Sequence, residues 1–162
     1  MFRHNVAKLA FLTVLLLTSQ LAAANPHYTV VRTQDYLMVM QQNTPVLGYR
    51  ILPRSKDGQY TRNNYVNLYN FQGYEITEDF PADHLHHRGV FWAWHQVIVG
   101  ERHLGDSWEC RNFTWDSKEV TTTQQRDGVL LRTRTQWSSP DYVDTQGIEI
   151  PIVMEETEVH IH

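Results

Sequence analysis

Cysteine is nearly absent from these 162 residues: Cys110 stands alone. One thiol forms no intramolecular disulfide and builds no thiolate-rich zinc centre. Positive charge is scarce too. Lys and Arg number 14 against 18 Asp and Glu, a formal net charge of −4, whereas a broad nucleic-acid footprint needs a basic face. Long apolar runs are missing. The stretch from Leu9 to Leu17 falls far short of the roughly 20 residues that cross a bilayer as a helix. Alanine, the best helix former, is concentrated at the N-terminus; after residue 24 only Ala82 and Ala93 occur. There is no glycine-rich phosphate loop and no Gly-x-Ser-x-Gly elbow.

The N-terminus carries a signal of its own. Arg3 and Lys8 precede the short apolar run, and Ala22 and Ala24 close the segment. A basic start, a short apolar core and an Ala-x-Ala ending describe a secretory signal peptide over residues 1–24. Cleavage after Ala24 leaves 138 residues with a net charge of −6, from 12 basic and 18 acidic side chains. The product is expected to be exported, periplasmic or extracellular, with no integral membrane span. Cys110 is then expected to be buried rather than paired.

What remains is rich in strand formers. Val, Ile, Thr, Tyr, Phe and Trp make 50 of those 138 residues, types that suit a pleated, half-buried surface. No segment holds a 3.6-residue apolar period over three turns. Strands are expected over 28–32, 36–40, 46–52, 65–69, 90–99, 119–123 and 129–137, with a last extended stretch over 148–161 broken by Pro151. Residues 41–45 and the Asp127-Gly128 pair read as hairpin loops, and 55–58 as a turn. Leu131, Thr133, Thr135 and Trp137 fall on one face of their strand, with Leu130, Arg132, Arg134 and Gln136 on the other. The pattern predicts an all-β, antiparallel β-sandwich over residues 25–162. The chain stops in mid-strand, so a fragment of a longer domain is expected, with open sheet edges available for self-association.

One segment is chemically dense. Between Glu78 and His95 lie four of the eight histidines that follow residue 24, namely His84, His86, His87 and His95, with Asp79, Asp83 and Arg88. Pro81 places its start in a loop, and Gly89 onward reads as strand. Period two then puts His84, His86, Arg88, Val90, Trp92 and Trp94 on one face, and His87, Phe91, Ala93, His95 and Val97 on the other.

Three chemistries suit this cluster. Imidazoles titrate near neutral pH and can move protons at a sugar's ring oxygen. In that reading His84, His86 and His87 are catalytic candidates, Asp83 and Arg88 fix hydroxyls, and Trp92 and Trp94 offer flat surfaces for a small-molecule or oligosaccharide ligand. The second chemistry is a metal-dependent enzyme, with His84 and His86 chelating a single divalent ion and Glu78, Asp79 or Asp83 as carboxylate partner. His87, Arg88, Gly89 and Val90 follow His86, so the His-x-His-plus-carboxylate pattern of jelly-roll oxygenases is not met. The third is a non-catalytic interaction module in which the polar loop is held by hydrogen bonds.

The run Asp79-Phe-Pro-Ala-Asp-His-Leu-His-His-Arg-Gly89, with Trp92 and the preceding residues 65–78, resembles the signature of a bacterial family labelled PmoA-like. The resemblance covers most of the chain after Ala24. Members are roughly twice as long, which implies that this chain is the N-terminal half. The label implies methane oxidation by a multi-span membrane protein, whereas nothing after Ala24 could span a bilayer as a helix. The physical reading is closer to a large sandwich similar to aldose mutarotases, in which histidines and a carboxylate transfer protons at the anomeric centre. That likeness implies the acid among His84, His86 and His87, with the base in the other half.

Weaker features complete the reading. Trp108 and Trp115 beside Arg111 can line a groove, but as aromatics they read first as core. His103 reads as a loop residue, His160 and His162 as a terminal pair, and Asn112-Phe-Thr114 as a glycosylation sequon that matters only in a eukaryotic secretory pathway.

Overall fold

The computed structural model describes residues 27–162; the expected signal peptide lies outside them. Eleven strands follow in order: β1 Tyr28–Arg32, β2 Tyr36–Gln41, β3 Thr44–Arg50, β4 Arg54–Lys56, β5 Gln59–Arg62, β6 Tyr65–Leu68, β7 Val97–Val99, β8 Arg102–Gly105, β9 Thr114–Gln124, β10 Val129–Ser138 and β11 Val153–Ile161. Among the described residues there is no helix, so none that is long and apolar enough to cross a membrane. Every ladder is antiparallel, in agreement with the all-β class read from the sequence.

The strands form a four-stranded sheet in the order β1-β2-β3-β6, a three-stranded sheet in the order β11-β10-β9, and two hairpins, β4-β5 and β7-β8. The larger sheets share one apolar cluster. Leu37, Val39, Leu47 and Tyr49 come from the first, and Val120, Val129 and Leu131 from the second. Each fully buried Val or Leu in it stabilises the fold by roughly 1.5–3 kcal/mol relative to exposure. A second cluster, Leu104, Phe113, Trp115 and Trp137, sits beneath the β7-β8 hairpin, with the free thiol of Cys110 packed against it. Desolvation pushes that thiol's pKa up.

Local chemistry explains the turns. Gln42 and Asn43 both adopt positive φ, 48° and 70°, as the two-residue turn of a right-twisted hairpin requires. This closes β2 on β3 more tightly than the expected 41–45 loop, pairing Gln41 with Thr44. In β10 the alternation holds from Leu131 onward: Leu131, Thr133, Thr135 and Trp137 are buried and Arg132 and Arg134 face solvent, whereas Leu130, expected on the arginine face, is buried.

Two expectations fail. Residues 90–99 are not one strand. Val90 makes an isolated bridge to Val66, residues 91–96 are irregular, and only Val97–Val99 is extended. Residues 148–150 likewise contribute only the Val143–Glu149 bridge before β11 begins.

Candidate functional site

The long connection from β6 to β7 builds the site. It returns to the sheet at Val90, which exchanges backbone hydrogen bonds with Val66 at 3.0 and 2.8 Å. Gly89 is needed there: a Cβ at this position would lie 1.8 Å from the Val66 carbonyl oxygen. Before it, the Phe80 N–H donates to the His87 carbonyl, His84 to Pro81, and His87 to His84, at 3.1, 3.0 and 2.8 Å. These bonds close residues 80–87 into two successive turns.

The turns bring three imidazoles together. His84 and His87 stack with centroids 4.6 Å apart, while His86 meets His87 edge-on at 4.5 Å and His84 at 5.9 Å. The expected division by strand phase is therefore overturned, because His87 shares the cluster with His84 and His86. A turn does not alternate its side chains as a strand does. Asp83 and His84 pair at 3.1 Å on the exposed tip, and the hydrogen bond from His84 holds the Asp83 carboxyl below the usual carboxylate range. His86 is more enclosed, and its Nε2 has no hydrogen-bond partner. Burial, reinforced by neighbouring His87, lowers its pKa, which favours the neutral, base-competent form at pH 7.

Trp108, in the β8–β9 connection, is the hub. Its ring lies 6.1 Å from His86, 5.4 Å from His87, 5.7 Å from Phe91 and 5.8 Å from His95. His95, expected on one face with His87 and Phe91 and opposite His86, thus shares Trp108 with all three. Its Nδ1 lies 2.7 Å from Asp106 Oδ2, and its side chain is 61% exposed. Asp106 is buried. Desolvation alone would raise its pKa, but the hydrogen bonds from His95 and the Glu109 N–H outweigh that and hold it below the usual carboxylate range.

Two buried arginines brace these loops. Arg88 donates to the carbonyls of Leu85, His87 and Tyr60, and its guanidinium stacks 3.6 Å from the centroid of the Phe80 ring. Of the residues expected to bind hydroxyls, Arg88 is therefore engaged with backbone, whereas Asp83 is open to solvent. Arg62, from β5, is wholly buried. It donates to the Ser107 and Trp92 carbonyls at 3.0 and 2.6 Å and lies 4.1 and 4.2 Å from the Phe91 and Trp115 ring centroids. Desolvation lowers its pKa to about 10, so it stays charged at neutral pH.

The two exposed tryptophans are placed by these same groups. Trp92, 63% exposed, borders a cavity of about 340 Å³ together with Tyr49, Asn64, Phe91 and Glu155. Trp94, 51% exposed, packs against Trp137 at 5.1 Å and exchanges backbone hydrogen bonds with the Ser107 hydroxyl. Among the described residues no three His, Cys, Asp or Glu side chains are grouped to hold a metal ion. His160 and His162 stack at 6.2 Å at the end of β11, with Glu158 and Asp127 as neighbours.

The sequence reading missed Arg62, Asp106 and the hub role of Trp108. None stands in a motif. The one available signal was the concentration of charge and aromatics around Gly105-Asp-Ser-Trp108.

Fold and site together define an all-β protein with a histidine-rich loop seated on a tryptophan and anchored by buried arginines. Residues 36–162 match the model of a family of unknown function (DUF6807), and the chain belongs to that family. The matched segment holds the whole histidine loop and every strand but β1. No curated protein and no solved structure matches the chain.

Proposed function

We propose that the histidine surface around Trp108 binds a carbohydrate and can transfer a proton to or from it. The observation that carries this reading is the His95–Asp106 pair. A carboxylate at 2.7 Å on Nδ1 fixes the ring and favours the tautomer whose Nε2 is free to accept a proton. Neutral His86 and its neighbour His87 lie on the same tryptophan, so a base and a second proton carrier sit close together. Exposed Trp94, next to His95 in the chain, offers a flat apolar face on which a sugar ring can stack, and exposed Trp92 offers another at the cavity that Phe91 and Tyr49 line.

In this reading the two sheets belong to a larger sandwich of the aldose-mutarotase kind, and the protein works outside the cytoplasm. The basic start and short apolar run before Ala24 support export. A metal-dependent reaction is less well supported, since His84 and His86 find no third ligand among the described residues. Methane oxidation has no support in this geometry.

The test is titration of the purified, untagged protein with mono- and oligosaccharides, followed by tryptophan fluorescence. His86→Ala and His95→Ala should each weaken binding about tenfold, with folding of each variant checked by melting. Unaltered binding in both variants would overturn the proposal. A change in stability alone would favour the interaction-module reading.

A further inference from the structure

The two larger sheets part at one side. β6 is the last strand of the first sheet, with only the Val66–Val90 bridge beyond it, and β11 is the last strand of the second. Between them lies the cavity of about 340 Å³ that Trp92 borders. Tyr65, Val66, Val90, Phe91, Trp92 and Val159 form its apolar walls, and exposed Val90 and Trp92 mark its mouth. A dry apolar cavity of roughly 150 Å³ holds benzene, so this one has room for a substituted ring.

One side of the cavity is polar, and its hydrogen bonds converge on Glu155. Tyr49 Oη donates to Asn64 Oδ1 at 2.6 Å, and Asn64 Nδ2 donates to Glu155 Oε2 at 2.8 Å. Trp137 Nε1 donates to the same oxygen at 2.9 Å, and Thr157 Oγ1 to Oε1 at 3.0 Å. A carboxylate offers about four acceptor positions, so one is left, on Oε1. Thr133, the cross-strand partner of Thr157, lines the cavity at 5% exposure, and its hydroxyl has no hydrogen-bond partner. Glu155 is the only charged residue of the lining, and the three groups it accepts from are neutral. Arg62, whose charge Glu155 helps to hold, lies outside the lining and donates to the Ser107 and Trp92 carbonyls.

These groups select a ligand by what they lack. A carboxylate or phosphate would meet Glu155 and no cation in the lining. A molecule polar around its whole rim would bury unpaired groups against Val66, Val90 and Val159 inside the cavity. A pure hydrocarbon would leave Glu155 Oε1 and the Thr133 hydroxyl facing it without a partner. We propose that the cavity binds an apolar, ring-sized molecule headed by a hydrogen-bond donor, a hydroxyl or an ammonium, which Glu155 and Thr133 receive. The site shares Trp92 with the sugar reading but none of the imidazoles, and it stands whether or not that reading does.

The experiment is NMR of the full chain titrated with phenethyl alcohol and phenethylamine, with ethylbenzene and phenylacetate as the apolar and anionic controls. Both donor-headed compounds should saturably shift the Val66, Trp92 and Val159 resonances and bind more tightly than either control. Thr133→Val should weaken them about fivefold and leave ethylbenzene unaffected. Val159→Phe, which fills the cavity, should abolish their binding; melting checks the fold of each variant. His86→Ala should change nothing. The proposal is overturned if neither donor-headed compound moves those resonances, if a control binds as well, or if both cavity variants bind like the parent. Loss in His86→Ala alone would place the ligand on the histidine surface and likewise overturn it.

Discussion

His95 Nδ1 lies 2.7 Å from Asp106 Oδ2, and the carboxylate that holds this exposed imidazole is itself buried. A hydrogen bond between residues 11 positions apart joins the end of the histidine loop to the connection that carries Trp108. It ties the two loops together, and a carboxylate on Nδ1 favours the His95 tautomer with its proton there.

Asp106→Asn should therefore free His95. Imidazole ¹⁵N shifts should report a single Nδ1–H tautomer for neutral His95 in the parent and a mixture in the variant. Identical tautomer signatures would show that Asp106 does not orient the ring. The substitution should also change acid stability. With a folded-state pKa below 3.8, Asp106 stabilises the fold above that pH, and this stabilisation is lost as pH falls through the lower folded value. Urea midpoints below pH 3.8 should consequently fall less steeply in the variant.

His86 has a folded-state pKa below 6.5. As pH drops through 6.5 the unfolded chain takes up a proton that folded His86 resists, so stability should decline towards acid. His86→Gln should flatten the melting-temperature decline between about pH 7.5 and 5.5. Equal slopes in both proteins would rule out this source of pH dependence.

Arg62→Met removes a cation held between Phe91 and Trp115 and leaves the Trp92 and Ser107 carbonyls without their donor. The expected loss is about 2–5 kcal/mol, with faster amide exchange at Trp94 and Ser107. A variant as stable as the parent would mean that relief of guanidinium desolvation offsets those bonds.

Gly89→Ala forces a methyl to within 1.8 Å of the Val66 carbonyl oxygen unless the backbone moves. It should destabilise the protein by roughly 1–3 kcal/mol and weaken the Val66–Val90 bridge, visible as faster exchange of the Val90 amide. An unchanged urea midpoint would show that the loop does not dock through Gly89.

Much of the fold was legible along the chain. Alternation in β10, the Asp127-Gly128 turn and the early hairpin follow from side-chain period and turn chemistry, which act between near neighbours. The misreading of residues 90–99 has a specific cause. Arg62 takes the Trp92 carbonyl, and Ser107 takes both the N–H and the carbonyl of Trp94. Backbone groups satisfied by side chains need no neighbouring strand, so an alternating sequence stayed irregular. The fold placed His95 and His87 with His86 around Trp108, where strand phase had set His86 on the opposite face.

The sequence by itself determined the β class, the turns and the concentration of histidines between Pro81 and His95, because each rests on residue type and short-range spacing. Tertiary structure alone decided that Arg88 and Arg62 brace loops, that Asp106 orients His95, and that Tyr49, Asn64 and Glu155 join at a cavity between the sheets. Those relationships join residues from different strands and loops. They arise only once packing has removed the competing water and left each buried donor needing a partner.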